Sequence, residues 1–177
     1  MNPACDILIA GGGVTGVPAA VVAARAGMRV VLVEKSGFLG GAGVTALHRH
    51  ICGLYLNGAV DPADTLNSGL QREIVSKLTS LSPSNHPTKM GRVWVLAFEP
   101  AHFRSVYETI ARDEPNLTVL FSSTVKSLTC DGNLFAGGRC ISATSQALAS
   151  TRVMGTCMAL GEAAGLQAAV FVNSQQP

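Results

Sequence analysis

The hydrophobic positions of this chain fall into short continuous runs broken by glycine, alternating with longer stretches of helical spacing. Asp6-Ile-Leu-Ile-Ala10 is a short apolar run of the kind expected for a strand buried on both faces of a parallel sheet. Gly11-Gly-Gly-Val-Thr-Gly16 ends it. From Val14 to Ala26 the chain is rich in Ala and Val, tolerates Pro18 near the first turn and stops at Gly27, which predicts a helix. Arg29 to Val33 predicts a second strand. Strand, glycine-rich turn, helix and strand together make a βαβ unit of about 30 residues, with parallel strands and a right-handed crossover.

Beyond Glu34-Lys35, the glycine-rich passage Ser36 to Thr45 and the cluster His48-Arg-His-Ile-Cys-Gly53 predict loops or a short helix. Asp61-Pro62 has the form of a helix start, and Leu66, Leu70, Ile74 and Leu78 recur at helical spacing up to the breaker Ser82-Pro-Ser-Asn-His-Pro87. Arg92 to Phe98 predicts a strand. Glu99-Pro100 opens another helix, with Phe103, Val106, Tyr107 and Ile110 on one face and Asp113-Glu-Pro115 as its stop. Leu117 to Ser122, Val125 to Thr129 and Asn133 to Ala136 predict short strands, the last two joined by a tight turn at Asp131-Gly132. An Ala-rich helix is expected from near Arg152 to Val172. No internal repeat is visible.

Composition narrows the class. A chain of 177 residues that is 47% hydrophobic and 14% charged has enough apolar surface for one core, which excludes disorder. A net charge of +2 without a basic run predicts no nucleic-acid partner. Five cysteines without CxxC or CxxxC spacing suggest neither a disulfide framework nor a metal site, and fit a reducing cytoplasm. The first residues carry no basic segment of a signal peptide, and no apolar stretch of about 18 residues is apparent, so no membrane association is expected.

The chemistry concentrates in the turn after the first strand. Gly11, Gly13 and Gly16 satisfy G-x-G-x-x-G in its informative context, after a buried strand and at the start of a helix. Gly11 permits the tight turn, Gly13 admits a pyrophosphate close to the backbone, and Gly16 lets helix and strand pack closely. Val14 and Thr15 complete the turn, where the helix N-terminus offers N–H groups and partial positive charge. Glu34 ends the second strand, near the distance of about 20 residues expected of the acid that holds a ribose diol. Its carboxylate would repel a 2′-phosphate. These features predict dinucleotide binding.

The same residues resemble the FAD-dependent oxidoreductases of the glutathione-reductase-like flavoprotein superfamily. The resemblance rests on Asp6 to Gly16 with Val33-Glu-Lys35, on Leu39-Gly-Gly-Ala-Gly-Val-Thr45, and on Asn133 to Thr144 followed by Arg152 to Gly165. It implies FAD as cofactor and a Rossmann-like α/β fold with a parallel sheet and flanking helices, in a minimal version. A single domain would comprise a βαβ unit and flavin-approach loop (1–56), a helical and strand insertion (57–132) and a C-terminal flavin-binding strand and helix (133–177). It further implies cofactor contacts from Lys35, Gly40, Gly41, Ala42, Val125, Gly138, Arg139, Met154, Gly155 and Thr156. Val125 would meet the adenine, and Arg139 stands where relatives often place an acid on the ribityl chain. Gly155 replaces a common proline and would expose its N–H to the flavin.

In the resembled fold the chain after Gly41 runs towards the flavin ring. His48 or His50 would then donate or accept protons, Arg49 would bind cofactor or a substrate carboxylate, and Cys52 would be redox-active or tether the flavin. The bland alternative is a set of exposed loop residues and a buried thiol. The substrate domain usual between the segments ending near Cys130 and starting near Asn133 is missing here. Two functions therefore stand side by side: an oxidoreductase acting on a small-molecule substrate or redox partner, and a non-catalytic FAD-binding module completed by self-association or another chain. An NAD-binding domain is a third. An apolar surface left by the missing part predicts a homo-oligomer.

Overall fold

The computed structural model describes residues 4–129 and 133–175. Strand β1 (Ile7–Ala10), helix α1 (Gly16–Arg25) and strand β2 (Val30–Val33) form the expected βαβ unit. β1 pairs in parallel with β2, Ile7 opposite Val30 through Ala10 opposite Val33. Strand β6 (Leu117–Leu120) adds to the other side of β2, also in parallel, giving the order β1-β2-β6. The continuous apolar run of the central strand follows from its position, because Val30, Val31 and Leu32 are all buried.

Between β2 and β6 lie the short helix α2 (Ala42–Thr45), β3 (His50–Ile51), helix α3 (Leu70–Leu81), β4 (Pro87–Met90), β5 (Val93–Ala97) and helix α4 (Pro100–Arg112). The three strands form a separate antiparallel sheet in the order β3-β5-β4. Phe98, Phe103 and Tyr107 stack in series, with centroids 5.2 and 4.3 Å apart, and seat α4 in the core. After residue 133 come a 3-10 turn (Gly138–Cys140), α5 (Ser145–Thr151) and α6 (Met154–Ser174). α6 lies along α1, where Gly161 and Gly165 face the backbone of Thr15 and Ala19 so closely that neither position has room for a Cβ. By length and composition alone α6 could also cross a membrane, contrary to expectation, although its inner face is buried against α1.

Several elements differ from the sequence reading. The helix expected from Asp61 starts at Leu70, because its cap comes from far away: the Glu162 carboxylate accepts the Leu70 and Gln71 N–H groups at 2.9 and 2.8 Å. Val125 to Thr129 and Asn133 to Ala136 are not strands, since neither finds a ladder partner among the described residues. The Asp131-Gly132 turn lies outside the described residues. β4 occupies the tail of the presumed breaker, an exposed edge strand that tolerates Pro87 at its first position. α5 is an additional helix, capped by the Thr144 hydroxyl accepting the Ala147 N–H at 3.3 Å.

Candidate functional site: a dinucleotide cradle closed by the C-terminal helix

The turn between β1 and α1 has the shape that phosphate binding needs. Gly11 takes φ +103°, and its N–H donates to the Val33 carbonyl at 2.8 Å, tying the turn to the end of β2. Gly13 faces open space, with no atom within 4 Å of where a Cβ would stand. At Gly16 a Cβ would collide with the Gly11 carbonyl, so glycine lets the helix begin directly on the turn. The N–H groups of Gly13, Val14 and Thr15 meet no acceptor among the described residues, which leaves donors free at a helix N-terminus.

Glu34 is buried beneath this turn. One carboxylate oxygen accepts the Gly12 N–H and the other accepts the Ser36 N–H, each at 2.7 Å. Two charge-assisted bonds fix the carboxylate, and because each oxygen has a second lone pair, acceptor capacity remains for a diol. Lys35 beside it is exposed. The chain leaving β6 folds over the same corner, with the Ser122 N–H on the Ser36 carbonyl and the Ser123 N–H on the Glu34 carbonyl. Val125 follows two residues later, partly exposed, on the extended segment that leaves this corner.

The second glycine-rich passage runs alongside the first. The Gly40 N–H donates to the Gly12 carbonyl at 2.8 Å, and a Cβ on Gly41 would come within 2.9 Å of the Gly13 Cα. Gly43 gives the Phe103 ring room to press against α2, which holds the passage, including Ala42, in place from below.

The C-terminal elements close the cradle from the other side. The Thr15 side chain sits against Gly137 and Gly138, so the 3-10 turn packs on the phosphate turn itself. Arg139 is exposed next to it. Met154 is buried and Thr156 half-buried in the first turn of α6. The Gly155 N–H does not point free, as the sequence reading had it, but donates to the Cys52 carbonyl at 2.9 Å. Cys52 and the start of α6 are thereby brought together, and Gln71, fully buried, holds the Gly155 carbonyl through its amide at 2.7 Å.

The candidate catalytic residues lie on the strand and loop leading to Cys52. His50 is half-buried in β3 opposite Ala97, and His48 is exposed with its ring edge-on to Phe98 at 6.1 Å. Arg49 is exposed and ion-paired: one guanidinium nitrogen donates to both Glu99 oxygens, at 2.8 and 2.9 Å. Cys52 has an exposed side chain. His86 and His102, without an assigned role, bond to the Pro83 carbonyl and the Asn85 side chain respectively. No group of three potential metal ligands occurs among the described residues. Gln71 and Glu162 were missed from the sequence, since each acts across more than 80 residues and sits inside an ordinary helical pattern.

An open glycine turn with a buried acid bonded beneath it, and a second glycine passage closed by a C-terminal helix, make up the Rossmann-like α/β fold of a flavoprotein. The family model for FAD dependent oxidoreductase matches residues 6–133 and 129–177, and the chain belongs to that family. Its cofactor is FAD. Among solved structures, the chain is similar to the Diels-Alderase PyrE3 of pyrroindomycin biosynthesis, with TM-score 0.50 and 17% identity over 70% of this chain and 26% of that one. It is also similar to Thermovibrio ammonificans THI4 (TM-score 0.42, 21% identity, 66% of this chain and 38% of that one). The amino acid oxidase NikD matches with TM-score 0.45 and 14% identity, over 73% of this chain and 46% of that one. The chain thus spans less than half the length of each of these three. The PyrE3 likeness supports the fold alone. No curated protein matches the chain.

Proposed function

We propose that this chain binds FAD and works as an oxidoreductase on a small-molecule substrate or a redox partner. The observation that carries this reading is the pairing of Glu34 with the Gly12 N–H directly below a turn whose Gly13, Val14 and Thr15 donors meet no acceptor among the described residues. In this arrangement Glu34 holds the adenosine ribose, the free donors and the α1 N-terminus hold the pyrophosphate, and Gly40 to Ala42 guide the cofactor onward. Bound FAD supplies the two-electron chemistry, so the protein's task is to bind and orient it and to exclude competing reactions. The first turn of α6 directs its partial positive charge to the flavin end, where reduction places negative charge. His48 and His50 are the candidates to move a proton there, and Cys52 is the candidate thiol.

A second reading has its own observation. The outer edge of β1 pairs with nothing among the described residues, and Leu8, Leu134, Leu166 and Val170 are exposed. Such a surface favours a module that completes its site with a second copy or another chain. We place this chain with small molecules and protein partners, away from nucleic acid and membranes, in a reducing cytoplasm.

The experiment is steady-state reduction of an artificial electron acceptor by FAD-loaded protein, screened across small-molecule reductants, with the oligomeric state measured by light scattering. Turnover by the purified chain supports the first reading. Bound FAD with no turnover, restored by a second chain, supports the module.

A further inference from the structure

Helices α3 and α6 hold each other in both directions. From α6, the Glu162 carboxylate accepts the Leu70 and Gln71 N–H groups that open α3, at 2.9 and 2.8 Å. From α3, the Gln71 side-chain amide returns to α6 and donates to the Gly155 carbonyl at 2.7 Å. Gly155 and Glu162 are seven residues apart, about two helical turns, and so lie on one face of α6. Gln71 is fully buried, and its amide oxygen is engaged as well, by the backbone and side-chain N–H groups of Asn67 at 3.3 and 3.2 Å. A buried amide bonded at both ends keeps one orientation, because turning it over would set donor against donor and oxygen against carbonyl.

The first turn of α6 is thereby fixed from outside the helix. The Gly155 N–H goes to the Cys52 carbonyl at 2.9 Å, the Gly155 carbonyl takes the Gln71 amide, and a Cβ at this position would collide with the Gly53 carbonyl. The N–H groups on either side, of Met154 and Thr156, meet no acceptor among the described residues. We infer that Gln71 is a positioning residue for the flavin end of the cradle, acting through Gly155 to hold the Met154 and Thr156 donors where flavin reduction creates negative charge. The inference rests on the FAD-binding reading above. Without the Gln71 bond the first turn keeps its sequence and its dipole but loses one of the two hydrogen bonds that set its place. Reduced flavin therefore loses more binding than oxidised flavin.

The test compares wild type, Gln71→Met, Asn67→Ala and Arg25→Leu as full chains. It reads the midpoint potential of bound FAD by dye equilibration and, in the FAD-free chains, amide hydrogen exchange across 153–157 beside the melting temperature. Gln71→Met keeps the length of the side chain and removes the donor. The expected result is a more negative potential, by at least a threefold loss of preference for reduced FAD, about 14 mV for a two-electron couple, with faster exchange at Gly155. Asn67→Ala, which spares the bond to Gly155, and Arg25→Leu, which weakens the chain elsewhere, keep the wild-type potential. Gln71→Asn, which retains the amide one carbon short of Gly155, shows the same shift and serves if Gln71→Met does not fold. An unchanged potential in the folded Gln71 variant, or an equal shift in Asn67→Ala or Arg25→Leu, overturns the inference while the FAD reading stands. A folded wild-type chain that takes up no FAD overturns that reading and the inference with it.

Discussion

Glu34 accepts the backbone N–H of Gly12 at 2.7 Å, joining the end of the second strand to the middle of the glycine turn. This one contact makes the carboxylate both a structural clamp and a ligand group, and the two roles separate by mutation. Glu34→Ala leaves the Gly12 and Ser36 donors unpaired at a buried corner, a loss of about 1–3 kcal/mol per orphaned group. It also removes the diol acceptor, so FAD affinity should fall by at least tenfold, about 1.4 kcal/mol. Glu34→Gln keeps an acceptor for one N–H and should recover part of the stability but little of the affinity. Thermal melts of the FAD-free protein beside FAD titrations distinguish the two effects.

Gly13 and Gly161 predict opposite phenotypes for the same substitution. Gly13 has empty space around its missing Cβ, so Gly13→Ala should melt like the wild type and bind FAD at least tenfold more weakly. At Gly161 a Cβ would collide with the Thr15 carbonyl. Gly161→Ala gains about 1 kcal/mol of helix propensity but meets a backbone that can yield only by moving α6, at an overpacking cost of about 1–3 kcal/mol or more. A lower melting temperature, with weaker FAD binding in proportion, is the expected result.

Tyr55 and Tyr107 form a second contrasting pair. The Tyr55 hydroxyl is buried without a partner among the described residues, and burial pushes its pKa up to about 12. The Tyr107 hydroxyl donates to the Val14 carbonyl at 3.3 Å, under the phosphate turn. Tyr55→Phe should therefore be neutral or stabilising, whereas Tyr107→Phe should cost about 1 kcal/mol. Denaturant midpoints of the two variants check this, and equal losses would refute it.

Arg25 ties α1 to α3 through Glu73, at 2.7 Å, and to Glu114 at 2.6 Å. The Arg25 hydrogen bond holds the Glu73 carboxyl below its usual 4.5. A depressed folded-state pKa means that this stabilisation is present above about pH 4.5 and is lost as pH falls through the lower folded value. Both side chains are about one-third or more exposed, so solvent screening keeps the contribution to about 1 kcal/mol or less. Melting temperatures between pH 3 and 6 should drop more steeply for the wild type than for Arg25→Leu.

Much of the dinucleotide half was legible because its signals are local. Strand, glycine turn, helix and terminal acid lie within 30 residues, and the structure brings Gly11, Gly13, Gly16 and Glu34 together around one turn. The second half depended on distant partners. Leu70 begins α3 because Glu162 caps it, and no residue near Asp61 announces that. Pro87 to Met90 is a strand only because Val93 to Ala97 pairs with it. Val125 to Thr129 and Asn133 to Ala136 have strand-like composition and no ladder among the described residues, since a strand is defined by its neighbour as much as by its own residues. Arg49 illustrates the same limit at the site: its ion pair with Glu99, fifty residues away, has no local signal in the sequence.

FAD binding itself is tested most directly by titrating the FAD-stripped protein with FAD while following flavin fluorescence and the emission of Trp94, the only tryptophan. The account predicts saturable binding of one FAD per chain, abolished or weakened at least tenfold by Gly13→Ala. A chain that is folded by circular dichroism and shows no saturable FAD binding would contradict it.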